Sequence, residues 1–561
     1  MTQQPYDENG SEDQQVIEAD SAGEDYFEAD IESTLTMPRV PADIRSMEAA
    51  EAQSAGPGAD DDAKRTRLRP PDWRLLLILA AQIALAVRLL SSNGAGLHEA
   101  AFLTTGHAEL AHWLHGAPRP DYGSQFFGIP AVSPALAAAA DHFGGLTGAR
   151  LLSVAYMLLA TMFLWGTARR LHGEVAAFAA GAAFVALGST QSLGGAVTSD
   201  AMGLALLAAA AYLAVRTAQS ERRWPLWLIP CAVALVLADV VSPSTALWNP
   251  FIGLLLFAAA IGYGLRWAAL LRPFCLAVLC AALIGGGNLL RGKPGWAGLT
   301  DLRQSIAFGR PGDALVDDLK SWIGWVLLLA AVGVLAAVLR SEWSNALVGL
   351  VCLAAAVAAP AAQFRIETLP SLVRQTGFGA WFACIALGYL IHVLAHEMIT
   401  AKEARVVGII MTCAVLLLYA GAAMTQSRQF MQSWPDTRGV AATIGPYVHR
   451  GPDRYLVEGN SALPYDLRKS SSPGQWHDTR GLRFYDPKLR KYVTGERAYA
   501  AAVRDQHFSV IVLNGQITQA VDAKIVETIT LCKNSCGYRM AASLPYHGGH
   551  YTVWLHQGAT R

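Results

Sequence analysis

Lys64-Arg65-Thr66-Arg67-Leu68-Arg69, followed by Trp73-Arg-Leu-Leu-Leu-Ile-Leu-Ala-Ala-Gln-Ile-Ala-Leu-Ala-Val-Arg-Leu-Leu90, is the stretch from which the fold can be read. Crossing the hydrocarbon core of a bilayer takes about 20 mostly apolar residues, and Trp73–Leu90 supplies nearly that many. Lys and Arg stay on the cytoplasmic side of a span, so the basic cluster fixes the N-terminal end of this one inside. Upstream, residues 1–62 carry many acids, among them Asp7, Glu8, Asp20, Asp25 and Asp60–Asp62, against only Arg39 and Arg45. With few bulky apolar residues and no periodicity, they cannot bury enough surface to offset ordering entropy. Residues 1–69 therefore read as a disordered acidic cytoplasmic tail ending in the basic juxtamembrane cluster. No positively charged start followed by a short apolar core and cleavage site occurs, so the first span serves as the insertion signal.

Downstream the apolar runs repeat. The whole chain is 53% hydrophobic and only 16% charged, which excludes an ordinary soluble enzyme. Ten further spans are expected, at 150–167, 173–189, 199–215, 224–241, 245–265, 273–290, 321–339, 345–362, 378–395 and 406–424. Segment 129–142 is apolar but short, holds Pro130 and Pro134, and ends in Asp141-His142; it reads as a juxtamembrane helix. Leaving it out places Arg169-Arg170, Arg216, Arg222, Arg223, Arg266, Arg272, Arg340, Lys402 and Arg405 all inside, as the charge rule requires. The expected fold class is thus a polytopic α-helical membrane protein of about eleven transmembrane helices with a C-terminal soluble α/β domain. The membrane domain covers 70–428, with a first outer loop at 91–149, and the extracytoplasmic domain covers 429–561. In that tail Arg454–Glu458 and Ser509–Leu513 read as strands and Glu496–His507 and Ile517–Glu527 as helices. Gly537–Ala541 and Tyr551–His556 read as late strands. Cys532 and Cys536 sit between two of these runs and are candidates for a disulfide, which would suit an oxidising compartment.

Ionisable groups near the outer ends of spans are the functional suspects in a membrane protein. They are His98, Glu99, Asp200, Asp239 and Arg374. Glu99 opens a helix-like stretch to about Leu114 with apolar Phe102, Leu103, Leu110 and Trp113, read as an amphipathic helix on the membrane surface.

Several of these residues stand in a familiar order. Asn93-Gly-Ala-Gly-Leu-His98-Glu99-Ala100, followed by Gly106-His-Ala-Glu-Leu-Ala-His-Trp113, resembles the first outer loop of GT-C-type glycosyltransferases. That superfamily includes protein O-mannosyltransferases and bacterial aminoarabinose transferases. Ala149-Arg150-Leu-Leu-Ser153 is similar to the start of its next span, and Ala196-Val-Thr-Ser-Asp200-Ala201 to its second polar signature. Thr368–Phe382, with Ser371-Leu372 and Arg374, is similar to a late outer segment that carries a basic residue. The tail resembles exoplasmic domains of some bacterial members through Thr494-Gly495, Ala498-Tyr499 and Phe508–Leu513. The order of the motifs carries more weight than any one of them. His98 stands where the family normally has its catalytic Asp.

The resemblance implies a sugar moved from a polyprenyl-phosphate donor to an extracytoplasmic glycan, lipid or protein. Membrane lipids are further partners, and nothing points to nucleic acid. Such chemistry needs a base within hydrogen-bond reach of the acceptor hydroxyl and cations to stabilise the departing phosphate. Glu99 is a candidate base if burial raises its pKa, and His98 is a substitute because imidazole titrates near neutral pH. Asp200 would orient the acceptor. Glu99 and Asp200 are also candidates to hold a divalent cation, Mg or Mn. Arg374 is expected to bind the donor phosphate bidentately, with Arg303 second.

Plainer roles stand beside these. Glu99 and Asp200 would each stabilise a helix start through the dipole, and Arg374 would anchor at the headgroups. Asp239 reads equally as a buried functional acid or as a charge escaping to the interface. His107, His112 and His115 spread around a helix and read as interfacial packing. His392 and His396 share a face far from the outer site. A non-catalytic protein binding lipid-linked glycan or a cell-envelope partner is the alternative function, and a transporter the third.

Overall fold

The computed structural model describes residues 72–118, 132–291, 317, 319–366, 372–397, 402–432, 434, 436–459, 462–532, 535–546 and 549–558. The expected acidic tail and Arg303 lie outside these residues. The first helix, α1 (Trp73–Leu90), is capped by Asp72, whose carboxylate accepts the Arg74 amide at 3.2 Å. After it come α2 (Leu97–His115), α3 (Val132–His172), α4 (Glu174–Ala186), α5 (Gly188–Gly195), α6 (Ser199–Gln219) and α7 (Trp224–Val241). A 3₁₀ turn (Pro243–Trp248) leads into α8 (Asn249–Gly262), followed by α9 (Arg266–Arg291), α10 (Trp325–Leu339), α11 (Trp343–Ile366), α12 (Leu372–Glu397) and α13 (Lys402–Met431).

Among the described residues nine helices are long and apolar enough to cross a membrane, or ten if the pair α4 and α5 is one span. The expected span at 173–189 is not straight: the chain bends by 64° between α4 and α5. The cause is local. Leu187 is extended, and the Gly-Ser-Thr-Gln-Ser run that follows is polar and fully buried, with Ser192 and Ser427 both donating to the Gly188 carbonyl. The expected span 406–424 falls inside α13, whose side chains up to residue 416 lie outside the described residues. Helix α3 is two helices joined at Gly145, whose φ of 60° no helix accommodates. Its first part is the juxtamembrane helix expected near 129–142, and the span proper starts after Gly145.

Small residues make the bundle tight. Ala201, Ala208, Ala211, Ala214 and Ala218 of α6 are completely buried, as suits helices that associate in lipid through close backbone approach. The indole N–H groups of Trp248 and Trp381 each donate to a helix carbonyl, of Ala355 and Ala160, both at 3.0 Å. Outward-facing Trp267, Phe274, Leu226 and Leu328 leave an apolar surface far beyond what a soluble protein exposes. This is a multi-pass membrane protein.

Of the basic residues expected inside, Arg169, Arg170 and Arg272 gather at one end of the bundle. Arg74 and Arg169 both pair with Glu174, and Arg170 donates to Gln219. Arg272 is buried and donates to the carbonyls of Thr217, Ala218 and Ser220, the orphan acceptors at the end of α6. At 1.5 Å per residue, α1 carries the chain about 25 Å from this end to the other. There the first loop, the start of α6 and the C-terminal domain meet.

The C-terminal domain begins with α14 (Arg438–Ile444) and contains β1 (Tyr455–Val457), α15 (Ala462–Asp466), β2 (Trp476–Asp478), β3 (Arg483–Asp486), β4 (Lys491–Thr494), α16 (Glu496–Arg504), β5 (Val510–Leu513), α17 (Gln519–Cys532), β6 (Tyr538–Tyr546) and β7 (Gly549–His556). Five strands form a sheet in the order β2-β1-β5-β7-β6, with β1 parallel to β2 and β5, and β7 antiparallel to β5 and β6. Alternation along the strands supplies both faces. Tyr455, Val457, Val510 and Val512 pack with Val440, Ile444 and Leu463 on one side. Leu456, Ile511 and Leu513 pack with Tyr499, Val503, Ile525 and Ile529 on the other. The sandwich matches the α/β expectation. Strand β2 and the separate β3–β4 hairpin were not foreseen, because each is short and largely polar or exposed. Cys532 and Cys536 are joined by a disulfide.

Candidate functional site

Helix α2 places Glu99 in its first turn, where its Oε2 accepts the Gly96 amide at 3.3 Å, closing the helix start. The carboxylate is only 4% exposed. From α3, the wholly buried Arg150 reaches it twice, Nε to Oε1 at 2.9 Å and Nη2 to Oε2 at 2.7 Å. The other guanidinium protons go to the carbonyls of Leu90 (2.7 Å), Asn93 (3.0 Å) and Gly94 (3.1 Å). Arginine has five N–H donors, and all five are paired here. The amide of Val197, just ahead of α6, donates to Glu99 Oε1 at 2.8 Å. Each oxygen of Glu99 thus accepts two hydrogen bonds and offers a substrate proton no unoccupied position. A base role for Glu99 requires this pair to open. The sequence reading took Arg150 as a family landmark and missed its partner, although a charge buried in an apolar span needs one.

The same contact joins the two polar signatures that sequence placed a hundred residues apart. Asp200 lies three residues beyond Val197 in the first turn of α6, half-buried, and accepts the Ser242 hydroxyl at 3.0 Å. Thr245 donates both to the Ser242 carbonyl and to Asp239 Oδ1, at 2.9 and 2.7 Å, and Asn249 Nδ2 donates to Asp239 Oδ2 at 2.6 Å. Asp239 is therefore a half-buried acid in the same hydroxyl cluster as Asp200. His98 is exposed on α2, beside Glu99. Arg374 falls in α12, but its side chain, like all of Arg303, lies outside the described residues. Among the described residues no three of His, Cys, Asp or Glu come together as a metal site, so no protein ligand set for a cation is assigned.

Helix α2 does not merely lie on the membrane. Phe102, Leu103, Thr105 and Gly106 are buried, and a Cβ on Gly106 would stand 2.0 Å from the Pro134 carbonyl oxygen. At its C-terminal end Trp113 and Leu114 are exposed. His107, proposed as packing, pairs with Asp141. Asp141 is also bonded by the Tyr465 hydroxyl at 2.6 Å and by Arg468 at 2.8 Å, tying α2, α3 and the C-terminal domain together. Asn93 adds a second tie by donating to the carbonyls of Met431 (2.9 Å) and Trp434 (3.0 Å). None of these ties had a sequence signal beyond the polarity of its residues.

Between the first loop and the C-terminal domain lies a cavity of about 190 Å³ lined by Ala95 and Leu97 on one side and by Glu458, Gly459, Asn514 and Tyr551 among others opposite. Glu458 is buried and accepts four backbone amides, from Asn514 and Gly515 (both 2.7 Å), Ile517 (2.5 Å) and Thr518 (2.8 Å). Burial works to raise its pKa, but bonds from Asp522 and from those amides outweigh it and hold Glu458 below the ordinary carboxylate range. Burial, then the neighbouring Glu458, push the Asp522 carboxyl up to about 8. Of the two carboxyls, Asp522 is the one on which a proton is favoured.

Residues 135–285 match the model of the family described as Dolichyl-phosphate-mannose-protein mannosyltransferase, a stretch that runs from α3 into α9. No curated protein matches the sequence. Among solved structures, ArnT from Cupriavidus metallidurans bound to undecaprenyl phosphate is 13% identical, with 85% of this chain and 97% of that one covered and a TM-score of 0.42. The archaeal oligosaccharyltransferase AglB from Archaeoglobus fulgidus, in complex with an inhibitory peptide and a dolichol-phosphate, is 12% identical. That match covers 81% of this chain and 71% of that one, with a TM-score of 0.48. The apo form of the Archaeoglobus fulgidus enzyme is 11% identical over 80% and 71%, with a TM-score of 0.49. By the family match over 135–285, the chain is similar to the GT-C-type membrane glycosyltransferases that its first loop resembles.

Proposed function

We propose that the protein is a membrane glycosyltransferase that moves a sugar from a polyprenyl-phosphate donor to an acceptor on the non-cytoplasmic side. One observation carries the reading: the hydrogen bond from Val197 to Glu99 brings the first loop and the Asp200 turn to the same end of the bundle, and joins the loop to a turn that lies inside the family match. Asp200 takes the acceptor-orienting role, because it lies half-buried in the first turn of α6, three residues beyond the Val197 contact to Glu99. His98 takes the base role, accepting the acceptor hydroxyl proton as that oxygen attacks the anomeric carbon and the phosphate leaves. Glu99 becomes a positioning residue, holding α2 against α6 so that His98 is presented there. Arg374, with Arg303 second, serves the departing phosphate. A divalent cation, if used, binds between Asp200 and the donor phosphate.

The test is to incubate the purified protein in lipid vesicles with a panel of polyprenyl-phosphate sugars and to read donor turnover by mass spectrometry. Turnover that falls by about 10²-fold or more in His98→Ala and Asp200→Asn supports the assignment. Turnover unchanged in both variants removes it.

A second reading is favoured by His98 standing in place of an acid and by the engagement of Glu99. It is a binding protein that holds lipid-linked glycan without turnover. Donor binding with no hydrolysis or transfer across the panel would establish that reading over the first.

A further inference from the structure

We propose that the cavity between the first loop and the C-terminal sheet is a subsite for an uncharged sugar ring, the acceptor's, and not for a phosphate or other ion. This deepens the transferase reading and rests on it. In an open α/β sheet a ligand binds outside the carboxyl ends of parallel strands, where the strand order reverses. Here β1 has β2 on one side and β5 on the other, so that point lies between β1 and β5. The cavity is there: Glu458 and Gly459 follow β1, and Asn514 and Gln516 follow β5. The site is completed by the membrane domain, since Leu97 lines the cavity and its neighbour in sequence is His98.

The lining selects against charge. Amides at the end of β5 and the approach to α17 form a ready cradle for an anion, but Glu458 already fills it with four bonds. Those bonds occupy the acceptor positions of the carboxylate, and among the described residues no Lys or Arg lines the cavity. What remains is Asn514, Gln516 and Thr437 as uncharged hydrogen-bonding groups, and Trp434 and Tyr551 as aromatic surfaces. That pairing of amides with flat apolar rings suits a sugar, which presents hydroxyls at its rim and C–H groups on its faces. Trp434 is held in place by its N–H bond to the Gly94 carbonyl at 3.3 Å. Gly459 (φ +74°) lets the chain leave β1 with Leu97 and Ile517 both close, since a Cβ there would meet Ile517 at 3.0 Å and Leu97 at 3.2 Å.

The experiment uses the full chain in nanodiscs with no donor present, and measures saturation transfer to maltose, glucuronate and glucosamine. Maltose is expected to bind and both charged sugars to bind more weakly. Ile517→Trp, at a partly exposed position on the cavity rim, should weaken maltose binding about tenfold, and Gln516→Ala a few-fold, as the loss of one hydrogen bond predicts. Thermal unfolding of both variants should match the parent. Maltose binding that is absent, that is equalled by glucuronate, or that survives Ile517→Trp overturns the subsite. Because no donor is present, the outcomes separate. If no donor sugar is ever turned over while Ile517→Trp still weakens maltose binding, the transferase reading fails and the cavity stands as a sugar-binding site without an acceptor role. If transfer proceeds and maltose binding ignores the variants, the subsite alone fails.

Discussion

At one end of the bundle two acidic groups are linked through the Val197 amide and are held in different ways. Glu99 is buried, paired twice with Arg150, and bonded by two backbone amides. Asp200 is half-buried and accepts the Ser242 hydroxyl, with Asp239 in the same cluster. A buried ion pair gives little net stability over an apolar pair of the same shape, yet removing one partner costs several kcal/mol. The difference teaches that a motif acid is judged by its partners: of the two signatures, the one nearer the expected catalytic position is the one held in a buried ion pair.

The largest effect should come from Arg150→Leu. It strands a buried carboxylate and removes the donors to the Leu90, Asn93 and Gly94 carbonyls, at a cost of about 3–5 kcal/mol, and size-exclusion profiles should show loss of folded protein. The exposed Arg74–Glu174 pair sets the baseline, because Arg74→Ala should cost about 0–1 kcal/mol. Restoring neutrality in the double variant Arg150→Leu with Glu99→Leu should recover part of the loss, a non-additivity that contacting partners show. A stable, well-folded Arg150→Leu protein would break the comparison.

Next comes the contrast between Glu99→Gln and Asp200→Asn. The first should lower the melting temperature because Arg150 loses its counter-charge. The second should leave melting within a degree or so while donor turnover falls about 10²-fold or more. If Glu99→Gln melts like the parent and turnover disappears, Glu99 belongs to the reaction and the roles reverse.

These pairs also mark what the sequence could carry. Span positions, the juxtamembrane helix near 129–142 and most tail elements were legible because apolar runs, Pro130 and Pro134, and strand-like alternation are local signals. The bend between α4 and α5 was not, because an apolar window averages over a short polar turn. The proximity of Glu99 to Val197 was not either: residues 98 apart are joined by tertiary packing, and only the family's motif order hinted that they belong together. The Arg150 pair shows the limit best. Its identity was on the page, but its partner required a fold.

In the C-terminal domain Glu458 repeats the Glu99 situation with amides in place of a guanidinium, and pH tests it. Asp522 is raised from 3.8 to about 8 in the folded state. Its stabilising share is complete below the unfolded pKa and is lost as pH rises through about 8. Glu458 is lowered, so its share is present above its unfolded value of 4.5 and is lost as pH falls below that. Hydrogen exchange of the Gly515, Ile517 and Thr518 amides, corrected for intrinsic rates, should therefore be slowest near roughly pH 4–5 and should speed up as pH rises to about 8. Asp522→Asn keeps a donor for Glu458 without a titrating proton and should flatten the alkaline limb. An alkaline limb that persists in that variant would assign the effect elsewhere.

The smallest effect should come from the cross-link farthest from both acidic groups. Cys532 and Cys536 close a loop of only five residues at the far end of α17, opposite the helix start that borders the cavity. Loop-closure entropy for so short a ring is worth about 2 kcal/mol at most, and nothing in the candidate site touches it. Cys532→Ser with Cys536→Ser should lower the melting temperature by a few degrees and leave both donor turnover and maltose binding where they were. Loss of either activity in that variant would mean that the far edge of the sheet governs the cavity, and the division between structural and reactive polar groups would have to be drawn across the whole domain instead of at Glu99 and Asp200.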